Sequence, residues 1–358
     1  MDILVIGNGF DVAHGLKTKY DQFLDFVKNI KSTEYFRSCS PELQSEYTSL
    51  INGNVWFEHF IKTKEERKNT KQNWIDFEAE ISDVIQVLDK IRKEIYDQTL
   101  DEKTVIEENV IYSSELFLFY LYPEYNVSDA KYYFSRRRIK KIKERLTNDL
   151  NRLTRCLELY LSDFLKIDSC GTIPLFTGEI NPDYVITFNY TDTYELLYMD
   201  SLTDKFYCGE KNKKEKIHYI HGKAKKENTV DDCNLVLGIE EYLEGNDRQK
   251  DNEYIEFKKF YQRIYKGTGS TYTNWLKKCN DTGETLNVTI YGHSIATTDG
   301  DIIKKLIEAA KTTTIYYYDK DALHSIILNL VQIIGEEELI ERTSDDSEKG
   351  SIIFKSIT

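Results

Sequence analysis

A glycine-rich turn follows the first apolar run of the sequence and has the residue types of an anion-binding loop. The residues after Ile6 are, in order, Gly7, Asn8, Gly9, Phe10 and Asp11. A strand that enters such a turn and then a helix presents backbone N–H groups and a positive helix end to a phosphate. Val12 stands where the dinucleotide fingerprint G-x-G-x-x-G requires a glycine, so the match to a dehydrogenase loop fails. An equally good interpretation is that these glycines only allow the chain to turn and bind no ligand.

Polar side chains and glycines also end three later apolar runs. The runs end in Thr187, Asn189, Thr191 and Asp192, then in His221 and Gly222, and then in Gly292, Ser294 and Asp299. Ligands of α/β sheets bind at the carboxyl ends of the strands, so we expect these residues to meet there. A histidine suits general-base catalysis. The simpler interpretations are a structural histidine and, for Thr191 or Asp192, a helix cap.

Short apolar runs that alternate with helical patterns predict the elements that position these residues. Predicted strands cover 2–6, 184–187, 217–220, 235–237, 288–291, 314–318 and 351–355, and helices cover 20–30, 192–200, 301–311 and 321–334. This alternation favours an α/β fold with a doubly wound, mainly parallel sheet.

A long helical region separates the first strand from the rest. Apolar residues step by threes and fours from Trp74 to Ile95 and again from Ile139 to Phe164, which predicts two long helices packed along one seam. We therefore expect a core of residues 1–30 and 176–358, interrupted by a helical insertion at 31–175. An alternative use of the same stripes is the assembly of a homo-oligomer.

The composition narrows the function classes. The chain has 358 residues and a net charge of −13, which disfavours general nucleic-acid binding. The basic run from Arg136 to Lys143 is best interpreted as a solvated helix face. No stretch approaches the ~20 apolar residues of a membrane span. Six cysteines include no Cys-x-x-Cys pair, so we expect reduced thiols, no metal site and a cytoplasmic location.

Four sequence segments carry a resemblance to a known family. They are ILVIGNGFDVAHGLKTKYDQFL from Ile3, ITFNYT from Ile186, His221-Gly222, and YGHSIATTD from Tyr291. In this order they resemble the bacterial abortive-infection AbiH family, which implies a role in anti-phage defence with a phage-derived trigger or partner. Trp74-x-x-x-Glu78 resembles the tryptophan-glutamate element of that family more weakly.

The same segments are similar, at the level of the fold, to sirtuin-like NAD-binding domains. That resemblance implies NAD as substrate or ligand, with Asn189 positioning the nicotinamide ribose and His221 as general base. Gly292 and Ser294 would lie near the adenosine ribose. Asp11 departs from the sirtuin pattern, and a carboxylate beside a pyrophosphate is repulsive unless it caps a helix or meets a cation. Without zinc-binding cysteine pairs, NAD cleavage is a better expectation than deacylation.

Two other functions fit the sequence. One is a nucleotide- or nucleic-acid-binding defence sensor or scaffold without chemistry of its own. The other is a serine hydrolase, because residues 292–296 approximate a nucleophile elbow at Ser294, although Ala296 replaces its last glycine.

Overall fold

A single parallel sheet forms the centre of the protein. The computed structural model describes residues 1–67, 75–97, 136–199, 216–240, 252–344 and 350–357. The strands are β1 (Asp2–Ile6), β2 (Tyr184–Thr187), β3 (Ile217–Tyr219), β4 (Asn287–Tyr291), β5 (Thr312–Tyr317) and β6 (Ser351–Ser356). They lie in the order β3-β2-β1-β4-β5-β6, and every pairing is parallel. This is the strand order of a doubly wound sheet, so the predicted α/β class is confirmed.

The first strand is apolar from Ile3 to Ile6 because both faces of the sheet are covered. In β1, Ile3 and Val5 face a core that includes Ile303, whereas Leu4 and Ile6 face a second core around Phe176. Side chains alternate between the faces of a strand, so a strand buried on both sides is apolar at successive positions. The glycine turn follows directly where this apolar strand ends.

Helices surround the sheet and make up most of the described chain between β1 and β2. Their bounds are α1 (Asn8–Ala13), α2 (Tyr20–Asn29), α3 (Glu34–Ser38), α4 (Pro41–Ile51), α5 (Val55–Arg67), α6 (Phe77–Asp97), α7 (Arg136–Leu159), α8 (Lys259–Tyr265), α9 (Thr271–Thr282), α10 (Gly300–Ala309), α11 (Lys320–Ile334) and α12 (Glu336–Arg342). Among the helices in the described ranges, none is long and apolar enough to cross a membrane.

The apolar stripes predicted in the helical region lie on α6 and α7. Phe77, Ile81 and Leu88 are buried in one core cluster with Ile139 and Leu146. Trp74 lies outside the described residues. The same cluster includes Leu237, Tyr254 and Phe257, so residues after β3 help to bury the helices.

One predicted strand is wrong. Residues 235–237 are buried but lie in irregular backbone beside the end of β3. The Val236 N–H donates to the carbonyl of His221 at 2.8 Å, and the Tyr190 hydroxyl donates to the carbonyl of Val236 at 2.8 Å. An apolar run of three residues is too short for periodicity to separate a strand from a buried loop. Here the run covers the strand end instead of extending the sheet.

Candidate functional site

The glycine turn after β1 packs directly on the end of β4. The Gly7 N–H donates to the Tyr291 carbonyl at 3.2 Å, and the Gly9 N–H donates to the Gly292 carbonyl at 2.7 Å. A Cβ on Gly7 would lie 2.7 Å from His293 Cα, and one on Gly9 would lie 2.7 Å from Gly292 Cα. These glycines allow two strand ends to touch. Their N–H groups are bonded to carbonyls and are not available to a phosphate in this conformation.

The neighbours of the glycines have different environments. Asn8 is exposed, and its side-chain oxygen accepts a hydrogen bond from the Thr18 hydroxyl at 2.6 Å. Phe10 is fully buried, with its ring 5.1 Å from the ring of Phe176, and it belongs to the core on one face of the sheet. Phe10 therefore anchors the turn, whereas Asn8 faces solvent.

Asp11 is a buried carboxylate in the first turn of α1. It is 1% exposed, and the Thr191 hydroxyl donates to its Oδ2 at 2.6 Å. Its Oδ1 has no hydrogen-bond partner among the described residues. Burial raises the pKa of Asp11 from 3.8 to about 6, although the nearby hydroxyls of Thr191 and Thr193 and the amide of Asn189 oppose the increase. An acceptor that is buried and unpartnered is suited to a ligand that donates hydrogen bonds.

Asn189 links the end of β2 to the glycine turn. Its side-chain Nδ2 donates to the Gly7 carbonyl at 3.0 Å, and its backbone N–H donates to Thr187 Oγ1 at 3.0 Å. The side chains of Asn189 and Thr187 are both buried. The amide group is thus held in a fixed position by β1 and β2 together.

His221 follows β3, and Asp299 lies in the segment after β4. Their side chains form a buried pair. His221 Nε2 lies 3.1 Å from Asp299 Oδ1, and His221 Nδ1 has no partner among the described residues. Burial lowers the pKa of His221 to about 4, so the ring is neutral at pH 7. The Nε2 proton then points to the carboxylate, and Nδ1 carries a lone pair. This is the arrangement of a general base oriented by a carboxylate.

Lys259 on α8 neutralises Asp299. Its Nζ lies 3.0 Å from Asp299 Oδ1 and 2.8 Å from Glu78 Oε2, and it donates to Thr298 Oγ1 at 3.0 Å. Burial alone would raise the pKa of Asp299, but the charge of Lys259 and the imidazole of His221 hold that pKa well below its ordinary value. Burial also raises the pKa of Glu78 to about 7, against the attraction of Lys259.

His293 is a second histidine beside the same carboxylate. Its Nδ1 accepts a hydrogen bond from the Ile295 N–H at 2.9 Å, and its Nε2 lies 3.7 Å from Asp299 Oδ2. The ring of Phe188 lies 4.3 Å from the His293 ring and 5.4 Å from the His221 ring. The two imidazoles and the carboxylate therefore form one cluster, which is shielded from water by an aromatic ring.

Ser294 lies outside this cluster. It is exposed, and its carbonyl accepts a hydrogen bond from the Asn329 side chain at 3.0 Å. Within the described parts of the chain, no histidine ring is hydrogen-bonded to the Ser294 hydroxyl. The geometry lacks the serine–histidine contact that defines an activated serine.

A cleft of about 840 Å³ is lined by residues that follow β2 and β3. Its lining includes Thr191, Asp192, Lys223, Gly222 and Asn234. Thr191 is bonded to Asp11, and Gly222 follows His221, so the cleft reaches the neighbours of both buried groups. Lys223 Nζ lies 3.2 Å from Asp192 Oδ2, so the Asp192 side chain pairs with a cation. Small-molecule sites commonly occupy ~300–1,000 Å³, which makes the cleft large enough for a nucleotide.

The predicted residues thus lie in several different environments. Asp11, Asn189 and Thr191 lie together after β1 and β2, His221 pairs with Asp299 after β3 and β4, and Thr191, Asp192 and Gly222 line the cleft. Thr187, Gly7, Gly9 and Gly292 support the backbone around them, whereas Asn8 and Ser294 are exposed and Phe10 is in the core.

Three residues of the cluster were not selected from the sequence. His293 stands between two selected residues, and Glu78 belongs to the weaker tryptophan-glutamate element, so a local signal existed for both. Lys259 carries no sequence signal, because one lysine in a charged segment has no distinguishing spacing.

The fold and the cluster define an α/β protein whose buried polar groups lie at the carboxyl ends of the strands of a parallel sheet. The sequence model of the family described as "Bacteriophage abortive infection AbiH" matches residues 3–318. The chain therefore belongs to the AbiH family, which places it in abortive-infection defence against bacteriophage and confirms the resemblance to this family. Comparisons with curated proteins and with solved structures find no match, so the sirtuin-like fold stays a prediction.

Proposed function

We propose that this AbiH-family protein binds a nucleotide in the cleft and cleaves the nicotinamide–ribose bond of NAD during phage defence. The observation that carries the proposal is the pair of His221 and Asp299, in which His221 Nδ1 holds the lone pair and has no hydrogen-bond partner in the part of the chain that the structure describes. Such a pair has the geometry of a general base, and Gly222, which follows His221 in the chain, lines a cleft of nucleotide size.

The reaction would proceed by hydrolysis. As the bond between ribose C1′ and the pyridinium nitrogen breaks, nicotinamide leaves with the bonding electrons and becomes neutral. A water oxygen bonds to C1′ of the oxocarbenium-like species, and its proton passes to His221 Nδ1. Asp299 keeps its charge and stabilises the imidazolium that forms. The products are nicotinamide, ADP-ribose and one proton.

The remaining polar groups suit a ribose better than a phosphate. Among the described residues Asp11 Oδ1 is a buried acceptor without a partner, and the Asn189 amide is held by its bond to the Gly7 carbonyl. Ribose hydroxyls donate hydrogen bonds, whereas a phosphate has none to donate and would be repelled by an ionised Asp11. We therefore place the nicotinamide ribose near Asp11 and Asn189, with Thr191, Asp192 and Gly222 along the cleft towards the rest of the nucleotide.

Nicotinamide release from NAD tests the proposal. The purified full-length protein is incubated with NAD, alone and with lysate of phage-infected cells, and nicotinamide is measured by chromatography. We expect release in at least one condition, a loss of at least ~100-fold in His221→Ala, and little change in Ser294→Ala. Absence of release in every condition, or equal release by wild type and His221→Ala, contradicts it.

A nucleotide sensor without chemistry is the second candidate. It is favoured by the burial of the cluster, since His221 and Asp299 are only 4% and 5% exposed. Titration calorimetry with NAD and ADP-ribose distinguishes the two candidates: a sensor binds NAD and returns it intact. Mobility-shift assays at two salt concentrations test nucleic-acid binding, because phosphate contacts weaken steeply with salt.

A further inference from the structure

The helical region between β1 and β2 contributes a side chain to the candidate site. Glu78 lies in the first turn of α6, and its carboxylate accepts a hydrogen bond from the Thr298 hydroxyl at 3.0 Å. It also lies 2.8 Å from Lys259 Nζ. Thr298 and Asp299 are adjacent in the short 3-10 turn before α10. Glu78, Thr298 and Lys259 therefore form a closed ring of contacts next to Asp299.

A chain of charges leads from Glu78 to His221. Lys259 Nζ lies between the carboxylates of Glu78 and Asp299, and the side chain of Lys259 is only 3% exposed. Asp299 in turn contacts His221 Nε2 at 3.1 Å. A carboxylate so deeply buried stays ionised only if a cation accompanies it.

We propose that Glu78 and Lys259 are positioning residues: Glu78 holds the ammonium group of Lys259 beside Asp299, Lys259 keeps the Asp299 carboxylate ionised, and that carboxylate holds His221 in the tautomer with its proton on Nε2. Neither residue contacts the reacting atoms. The consequence for catalysis rests on the proposed function, whereas the tautomer of His221 does not.

Loss of Lys259 would change the protonation of His221 in one of two ways. The ionised Asp299 can attract a second proton to the ring, giving an imidazolium. Alternatively, Asp299 becomes protonated and donates to Nε2, which moves the ring proton to Nδ1. Both outcomes remove the lone pair from Nδ1, so both abolish the general base.

Other titratable groups face Glu78 and belong to the same electrostatic environment. They are Asp76 at the start of α6, Tyr20 on α2, Tyr190 after β2, Lys259 on α8 and Asp299, while Glu240 and Arg263 act on Lys259 or His221. The pKa of Tyr20 and that of Tyr190 are raised by burial, so both tyrosines stay neutral near pH 7. The pKa of Glu78 is about 7, so its charge changes near that pH.

Imidazole nitrogen NMR tests the proposal without a substrate. The chain has six histidines, so a full-length sample labelled with 15N-histidine gives few signals, and His221→Gln identifies the one of interest. In the wild type we expect a neutral His221 with Nε2–H from pH 6 to 8. In Lys259→Met we expect an imidazolium or an Nδ1–H ring, while Lys259→Arg retains the wild-type state. Lys143→Met, which removes another partly buried ion-paired lysine on α7, is the matched control.

The contribution of Glu78 is read from the pH dependence of the same signal. The wild-type His221 shifts should change with an inflection near pH 7, which Glu78→Gln abolishes and Glu80→Gln retains. Glu80 lies on the same helix but pairs with Arg67 instead. A neutral Nε2–H ring in folded Lys259→Met overturns the proposal, and so does a wild-type His221 without the inflection. If Lys259→Met does not fold, the pH dependence of the His221 signal in wild type and in Glu78→Gln decides the question instead.

Nicotinamide release separates this proposal from the proposed function. If both hold, Lys259→Met loses release at least ~10-fold, in line with the lost base. If the His221 tautomer depends on Lys259 but no variant releases nicotinamide, the positioning role stands and NAD cleavage is refuted.

Discussion

Replacing Asp11 by asparagine removes a buried carboxylate while keeping the shape of the side chain, and we expect the protein to become more stable at neutral pH. Asp11 is 1% exposed, and burial is the main cause of its raised pKa of about 6. Asparagine can still accept the hydrogen bond from the Thr191 hydroxyl. The substitution therefore removes the cost of burying a charge and leaves the packing nearly unchanged.

The magnitude follows from the difference between the folded and unfolded pKa values of Asp11. Because the folded value is higher, the folded state binds the proton more tightly, and stability is lost as the pH rises from 3.8 to about 6. The full cost is roughly 3 kcal/mol above that range and about 1 kcal/mol at pH 4.5. The stability difference between Asp11→Asn and wild type should thus grow by about 2 kcal/mol between pH 4.5 and 7.5.

Urea denaturation followed by tryptophan fluorescence at the two pH values measures this difference. Asp25→Asn is the control, since Asp25 has a side chain that is 66% exposed on α2. Its stability difference from wild type should change by less than ~0.5 kcal/mol with pH. If Asp11→Asn differs from wild type by the same amount at both pH values, Asp11 is not held in the folded state at a raised pKa, and the reasoning is refuted.

Other substitutions test the packing around the site. Gly292→Ala places a Cβ 2.3 Å from a backbone nitrogen at a φ of +64°, so urea denaturation should show a loss of at least ~3 kcal/mol; Gly283→Ala, at φ +67° with open space, should lose only about 1 kcal/mol. Equal losses would contradict the close contact of the two strand ends. Arg155→Met leaves the fully buried Glu158 without the guanidinium that lies 2.7 Å away, so we expect a loss of ~3–5 kcal/mol, partly recovered in Arg155→Met/Glu158→Gln. Failure of the double variant to recover stability would show that Arg155 acts through its bonds to backbone carbonyls instead.

The strands that carry the candidate site could be predicted because their signals are local. The apolar run Ile3–Ile6 and the runs before Asn189 and Gly292 are each bounded by glycine or polar residues, and each is a strand. The run at 235–237 has the same local character but is a loop. A short buried run becomes a strand only if another strand lies next to it in the folded protein. The periodicity of the sequence carries no information about that neighbour.

The sequence by itself determined the parallel sheet, the strand ends where the polar residues gather, and the resemblance to the AbiH family, because all three depend on residue types at fixed spacing. The tertiary structure alone decided what the glycine turn does: Gly7 and Gly9 contact the end of β4 instead of leaving their N–H groups free. It alone brought Glu78 and Lys259 to Asp299, across separations of 221 and 40 residues (299 − 78 and 299 − 259). A buried charge is compensated by whichever opposite charge the fold brings near, and the distance along the chain does not indicate which one that is.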